Sequence, residues 1–275
     1  FYDSEFGTPQ SYFESFGIDM ARVVHTPITD VEELKFDIMK QLDGIDKKDK
    51  VVILIDSIGN LASKKEVTDA MDGKSVADMS RAKQMKSLFR MITPHLNLKD
   101  IPLVAVNHTY KEIGLFPKDI VSGGTGAYYS ADAIWIIGRQ QEKVGQEIEG
   151  YHFIINIEKS RHVREKSKIP VTVTFEGGIS KWSGLLDISE KLGYITKPKV
   201  GWYEAIDPET GEVLSDKLMR AKDINSNSEF WKMMFTKTKL AESIKTRYTV
   251  GGTALMSEDE TDKEVQEEID QAVGE

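Results

Sequence analysis

The sequence predicts an α/β fold: a mostly parallel sheet flanked by helices, then a small C-terminal α/β lobe and an acidic tail. Three observations predict it. Apolar runs of strand length alternate with stretches of helical period through the first half of the 275 residues. After about Leu185 the texture changes to short helices and turns marked by Pro198, Asp207-Pro208 and Gly211. Beyond Gly251-Gly252 the chain becomes acidic, and Ser257–Glu275 holds nine acids against one lysine. These divisions give a core over residues 1–185, a lobe over 186–248 and a flexible acidic tail over 249–275.

In chain order, Phe1–Pro9 reads as the end of a strand running into a turn. A natural domain rarely starts there, so a fragment, a processed chain or half of a split gene is expected, with the sheet incomplete at its N-terminal side. Asp30 is a helix N-cap, and Val31, Leu34, Ile38 and Leu42 fall on one face of the helix it opens, Asp30–Leu42. Val51–Ile55 (VVILI) is a continuous apolar run, read as a strand buried on both faces of a parallel sheet. Met79–Ile92 is helical, with Met85, Leu88, Phe89 and Ile92 in register. Leu103–Val106, Ile134–Ile137, Phe153–Ile157 and Val171–Phe175 are further strands, the later ones joined as hairpins.

Composition excludes several classes. With no cysteine, disulfides and thiolate–metal sites are out, and a reducing, cytoplasmic setting fits. The five histidines are scattered with no paired metal-ligand spacing. No run of ~18 apolar residues spans a membrane. The net charge of −9 argues at first against a nucleic-acid partner, but the tail carries nearly all of it. The nearly neutral body has room for basic patches.

Four segments carry chemistry. FYDSEFG places Glu5 after a strand, where a carboxylate can polarise a water. VVILIDS ends a buried strand in Asp56-Ser57, the position of a Mg²⁺-holding aspartate in phosphate-loop NTPases. VAVNHTYKEIG ends another strand in Asn107 and His108, placed to sense a γ-phosphate. Gly114–Ala127 is long and Gly-rich, and its Gly123-Gly124 pair permits close backbone approach to a phosphate. Alone, each segment also fits an ordinary structural role.

Together, in this order and spacing, EFG, VVILIDS, VAVNHTYKEIG and SGGTGAYYSADAIWIIGR resemble the RecA family of DNA recombinases, closest in wording to those of T-even phages. The resemblance runs from Phe1 to about Tyr248. It implies a RecA-like core that uses ATP and Mg²⁺, with Glu5 activating water, Asp56 near the metal (through water) and Ser57 beside it. His108 stands where bacterial members carry a glutamine that couples the γ-phosphate to DNA. Lys159 and Arg161, in IEKSRHVREKSKIP, match two lysines that reach the neighbouring subunit's nucleotide. Val67–Ser80 with Arg81, and Thr109–Thr125 with Lys111, Gly123 and Gly124, match the DNA-binding loops. The implied partners are single-stranded and homologous double-stranded DNA, further copies of the chain in a helical filament, and mediator and single-stranded-DNA-binding proteins, with no membrane.

One family feature is missing. No GxxxxGK[ST] string occurs in the 275 residues, and Gly73-Lys74-Ser75 lacks both the earlier glycine and a preceding strand. In the family this loop would lie ahead of Phe1. The expectation is that the chain alone is no ATPase and that its central strands lack a neighbour. Two other readings stand beside strand exchange: a non-catalytic DNA-binding or filament-modulating fragment, and a helicase-type ATPase on the same core.

Overall fold

The computed structural model describes residues 1–74, 80–113, 119–144 and 147–250. Two compact units meet in sequence at Ile134 and Trp135. Residues 251–275 of the acidic tail, residues 75–79 of the first expected DNA segment and 114–118 of the second lie outside the described residues.

The first unit runs β1 (Tyr2–Asp3), α1 (Gln10–Ser15), a 3-10 turn (Met20–Arg22), β2 (Thr26–Pro27), α2 (Val31–Gly44), β3 (Ile53–Asp56), α3 (Lys64–Met71), α4 (Ser80–Lys99), β4 (Leu103–Ala105), the short pair β5 (Thr109–Lys111) and β6 (Asp119–Val121), and α5 (Thr125–Ser130). Its sheet has the order β2-β1-β3-β4, and all three pairings are parallel. Such pairings need long crossovers: α1 and the 3-10 turn lie between β1 and β2, α2 between β2 and β3, and α3 and α4 between β3 and β4. The register sets Tyr2 opposite Ile55 and Asp3 opposite Asp56, so two carboxylates share one end of the sheet.

Helix α2 forms as its sequence predicts. The Asp30 carboxylate accepts from Glu33 N at 2.7 Å, and Glu32 and Glu33 in the first turn suit the positive end of the helix. Val31, Leu34, Ile38 and Leu42 are all fully buried. They meet Met85, Leu88, Phe89 and Ile92 of α4 in one core with Ile53 and Ile55 of the sheet. Each such side chain contributes about 1.5–3 kcal/mol by leaving water. The Lys99 ammonium donates to the carbonyls of Leu42 and Ile45 and so closes the far end of α2.

The structure departs from expectation in four places. β1 and β3 each have a neighbour on both sides, so the central strands are not left unpaired; the edges are β2 and β4. Burial of β3 is one-sided: Ile53 and Ile55 face the helices, whereas Val52, Leu54, Val104 and Val106 lie on the other face and are exposed. Helix α4 continues past Ile92 to Lys99 through Pro94. The first expected DNA segment begins inside helix α3, whose Ser63 N-cap accepts from Glu66 N, and the second contains the β5–β6 pair.

The second unit contains β7 (Ala133–Val144, entered from the first unit), β8 (Glu147–Ser160), β9 (Lys168–Thr174) and β10 (Gly178–Ile179), ordered β10-β9-β8-β7. The β8–β9 and β9–β10 pairings are antiparallel, as hairpins require. The lobe follows: α6 (Leu185–Lys191), the antiparallel pair β11 (Ile195–Lys199) and β12 (Trp202–Ala205), then α7 (Ala221–Ser226), α8 (Ser228–Lys237) and α9 (Leu240–Tyr248). Its core gathers Tyr194, Ile195, Ile224, Phe230, Trp231, Met234 and Leu240.

Candidate functional site

In a parallel sheet the carboxyl ends of the strands open onto one rim, where loops are free to carry polar groups. Here β1 delivers Asp3, Ser4 and Glu5 to that rim, β3 delivers Asp56 and Ser57, and the chain after β4 delivers Asn107 and His108.

Asp3 organises the rim. It is almost wholly buried, and its carboxylate accepts from Glu5 N (3.0 Å), Phe6 N (2.8 Å) and Thr8 N (3.4 Å). Its Oδ2 also stands 3.2 Å from Nε2 of His25, whose ring packs edge-on against Phe1 and Phe13. Phe6 is held at φ 55, a conformation that L side chains rarely adopt. The captured N–H of Phe6 helps offset that strain.

Glu5 is tied in place from the neighbouring strand. Ser4 Oγ donates to the Ser57 carbonyl (2.6 Å) and accepts from Ser57 N (2.9 Å). Ser57 Oγ, itself buried, donates to Glu5 Oε1 at 2.7 Å. His108 Nε2 lies 3.9 Å from the same oxygen. Asp56 is half-buried, and its carboxyl is held above the ordinary aspartate range, first by desolvation and then by repulsion from Glu5 and Asp3, with His108 opposing. The cluster thus joins a partly exposed carboxylate, a hydroxyl that orients it, an imidazole and a second carboxylate that a cation would relieve.

Among the described residues no group of three potential ligands could hold a metal by protein atoms alone. A cation that keeps most of its waters needs only one or two carboxylates, and Asp56, whose charge its neighbours disfavour, is the rim carboxylate that could hold one. The cluster fits the hydrolytic side of a nucleotide site; a phosphate-cradling string is not among these residues.

Of the expected residues, Glu5, Asp56, Ser57 and His108 come together. Lys159, half-buried near the end of β8, and exposed Arg161 belong to the second unit. Lys111 pairs with Asp119 at 2.7 Å across β5–β6. Gly123 and Gly124 take φ values of 88 and 76, and a Cβ on Gly124 would sit 3.4 Å from Ala82 of α4. Gly126 lies closer still: a Cβ there would come within 2.6 Å of Lys86 Cα. The end of the second expected DNA segment therefore packs against the start of α4, which follows the first. Arg81 turns inward, with Nε donating to the Leu61 carbonyl (2.6 Å) and Nη2 to those of Ile58 and Gly59 (both 2.9 Å).

Sequence reasoning missed Asp3, Ser4 and Gly59 in the cluster, and the exposed Lys83, Lys86 and Arg90 on α4. The D-x-E spacing after a strand marks Asp3. Helix α4 holds no Asp or Glu from Ser80 to Lys99, which marks the cations.

The profile of the RecA N-terminal domain matches residues 1–180, and that of "Bacteriophage T4, Recombination and repair protein, C-terminal domain" matches residues 182–244. The chain belongs to the RecA family of recombinases, in its UvsX-like branch. It is 49% identical to the recombination and repair protein of Enterobacteria phage T4, over 99% of this chain and 70% of that protein. It is 26% identical to protein RecA of Bacteroides thetaiotaomicron over 77% of this chain and 63% of that one, and 24% identical to protein RecA of Mesomycoplasma hyopneumoniae over 74% and 59%. The chain thus spans less than two thirds of these bacterial relatives. Among the described residues no helix is long and apolar enough to cross a membrane.

Proposed function

We propose that this chain is the greater part of an ATP-dependent recombinase that assembles on single-stranded DNA, pairs it with a homologous duplex and exchanges strands. The observation that carries the reading is the Ser57–Glu5 hydrogen bond at the strand-end rim, with His108 facing the same carboxylate oxygen. Glu5 orients a water and takes its proton, Ser57 fixes the carboxylate that does so, and His108 is placed to donate to an incoming phosphate. Asp56 would hold the Mg²⁺ of the nucleotide, and ATP with that ion would supply the phosphoanhydride and neutralise its charge.

The name of the T4 relative, recombination and repair, points to DNA. So does α4, an acid-free helix with Lys83, Lys86 and Arg90 exposed, against whose Ala82 and Lys86 the chain packs at Gly124 and Gly126, since a few cations and glycine backbone suit sequence-independent phosphate contact. Lys159 and Arg161 act on a neighbouring subunit's nucleotide, Arg81 and Lys111 contact DNA, and copies of the chain form a helical filament in the host cytoplasm. Mediator and single-stranded-DNA-binding proteins load it. The phosphate cradle comes from outside these 275 residues.

The test compares the chain alone with the chain joined to a segment carrying a GxxxxGK[ST] loop. Alone it releases no phosphate from ATP in the presence of single-stranded DNA; joined, it does. In the joined protein Glu5→Gln lowers turnover by about 10²–10⁴-fold while nucleotide and DNA binding persist. A fall of less than about threefold removes Glu5 from the role of base, and turnover by the 275 residues alone overturns the placement of the cradle.

A further inference from the structure

Arg81 opens α4 in a segment matched to DNA contact, yet its guanidinium grips protein. The three carbonyls it holds, of Ile58, Gly59 and Leu61, all belong to the turn that follows Ser57. The same turn is the seat of His108. A Cβ built on Gly59 would stand 2.8 Å from both Cγ and Cδ2 of the His108 ring, closer than real side chains come, and 3.1 Å from its backbone N, a tight contact. Ile58 N donates to the Val106 carbonyl at 2.9 Å, tying the turn to the strand end that carries His108. From the other side Asn107 Oδ1 accepts from His108 N (2.9 Å), and Ser122 N donates to the His108 carbonyl (2.9 Å).

We infer that Arg81 and Gly59 are positioning residues for His108: the arginine fork fixes the turn, and the bare glycine backbone gives the imidazole a flat seat facing Glu5. The inference rests on the reading of the strand-end cluster as a hydrolytic site, and it adds a route by which DNA reaches that site. The carbonyls are neutral acceptors. A phosphate oxygen is a charged one, and a phosphate accepts two parallel N–H bonds from one guanidinium while pairing opposite charges. A DNA phosphate that draws Arg81 away from Ile58, Gly59 and Leu61 frees the turn, and His108 moves relative to Glu5. The arginine is then the element whose two sets of partners are biased by DNA on one side and read by the imidazole on the other.

Imidazole carbon–proton NMR spectra of the 275-residue chain test this, with the His108 signal assigned by its loss in His108→Gln. Arg81→Lys keeps the charge but removes the fork, since one ammonium cannot reproduce its fixed donor geometry. Gly59→Ala puts a methyl group into the imidazole's seat. Each variant is expected to displace or broaden the His108 signal while those of His152 and His162, in the other unit, stay in place. If Gly59→Ala does not fold, Arg81→Lys decides alone. A His108 signal unmoved in folded Arg81→Lys overturns the inference, as does a loss of thermal stability in which all histidines shift alike.

A thymidine oligonucleotide then tests the route. It is expected to move the His108 signal in the parent chain and to leave it in place in Arg81→Lys at equal saturation. Equal movement in both overturns the link from DNA to His108. An oligonucleotide that shows no binding by anisotropy refutes the DNA-binding reading instead, and the DNA-free spectra still decide whether Arg81 and Gly59 position the ring.

Discussion

Trp231 and Asp56 each lie at the centre of their own region, and they are held in opposite ways. Trp231 is fully buried in the C-terminal lobe, with Phe230 edge-on at 5.2 Å, Trp182 stacked at 6.5 Å and its indole N–H donating to the Ile224 carbonyl at 3.0 Å. Its apolar area is covered and its single polar atom is satisfied. Asp56 sits among like charges at the sheet rim, in surroundings that disfavour its ionised form. The sheet behind it covers one apolar face and exposes Val52, Leu54, Val104 and Val106 on the other. The core around Trp231 closes on itself, although Ser189 Oγ and Asn225 Oδ1 elsewhere in the lobe are buried without a hydrogen-bond partner among the described residues. The first unit carries unresolved electrostatic cost at the place where several strands end together, which is how sites of chemistry differ from cores.

The largest effect expected from breaking this contrast is in the lobe. Trp231→Ala removes its central side chain and leaves a cavity lined by Ile224, Phe230 and Met234, for a loss of about 3–5 kcal/mol. Denaturant unfolding followed by the fluorescence of Trp182 measures it. A loss below about 1 kcal/mol shows that the lobe core is looser than its burial indicates.

How much of this was legible depends on where the information lies. Helix α2 was legible to its cap, because Asp30 and the spacing of Val31, Leu34, Ile38 and Leu42 are written in side chains. Helix α3 was not: over eight residues its apolar stripe is only Val67, Ala70 and Met71, none of them buried, and otherwise only Ser63 with Glu66 announces it. The β5–β6 strands, three residues each, are too short for alternation to register. VVILI reads the same whether one face of its strand is covered or both. At the rim, Glu5, Asp56, Ser57 and His108 were legible because each follows an apolar run. The inward turn of Arg81 was not, because its partners are backbone carbonyls, which every residue has and no sequence pattern singles out.

A smaller effect is expected at Asp3, the one rim carboxylate that is fully engaged. Asp3→Asn keeps the shape but replaces a charged acceptor of three N–H groups by a neutral amide with one acceptor oxygen. Hydrogen bonds to charged groups contribute about 1.5–3 kcal/mol each at most, so a loss of about 1–3 kcal/mol in total is expected. Hydrogen exchange at the amides of Glu5 and Phe6 should quicken with it. Unchanged exchange there means that the turn is held by something other than Asp3.

The smallest effect has the opposite sign, and it falls at Asp56. Its carboxyl is raised above its unfolded value, chiefly by desolvation and then by Glu5 and Asp3. A raised carboxyl binds its proton more tightly in the folded chain, so its contribution favours folding at low pH and is lost as pH rises through the folded value. At neutral pH the ionised Asp56 therefore subtracts stability, and Asp56→Asn removes the deficit. Because the side chain is only half-buried, solvent screens most of the repulsion, and the gain should be under about 1 kcal/mol, or at most about 2–4 °C in Tm. The gain should shrink on acidification, because the parent carboxyl then takes up its proton and the two chains become electrostatically alike. Added MgCl2 should also narrow the gap by stabilising the parent chain alone, beyond what NaCl of equal ionic strength does, since a cation at Asp56 offsets the same repulsion. Thermal unfolding of the two chains at neutral and acidic pH, with and without Mg²⁺, measures all three. A destabilised Asp56→Asn at neutral pH would mean that the rim carboxylates are held by attractive partners, and that the contrast between the satisfied Trp231 and a costly rim is wrong.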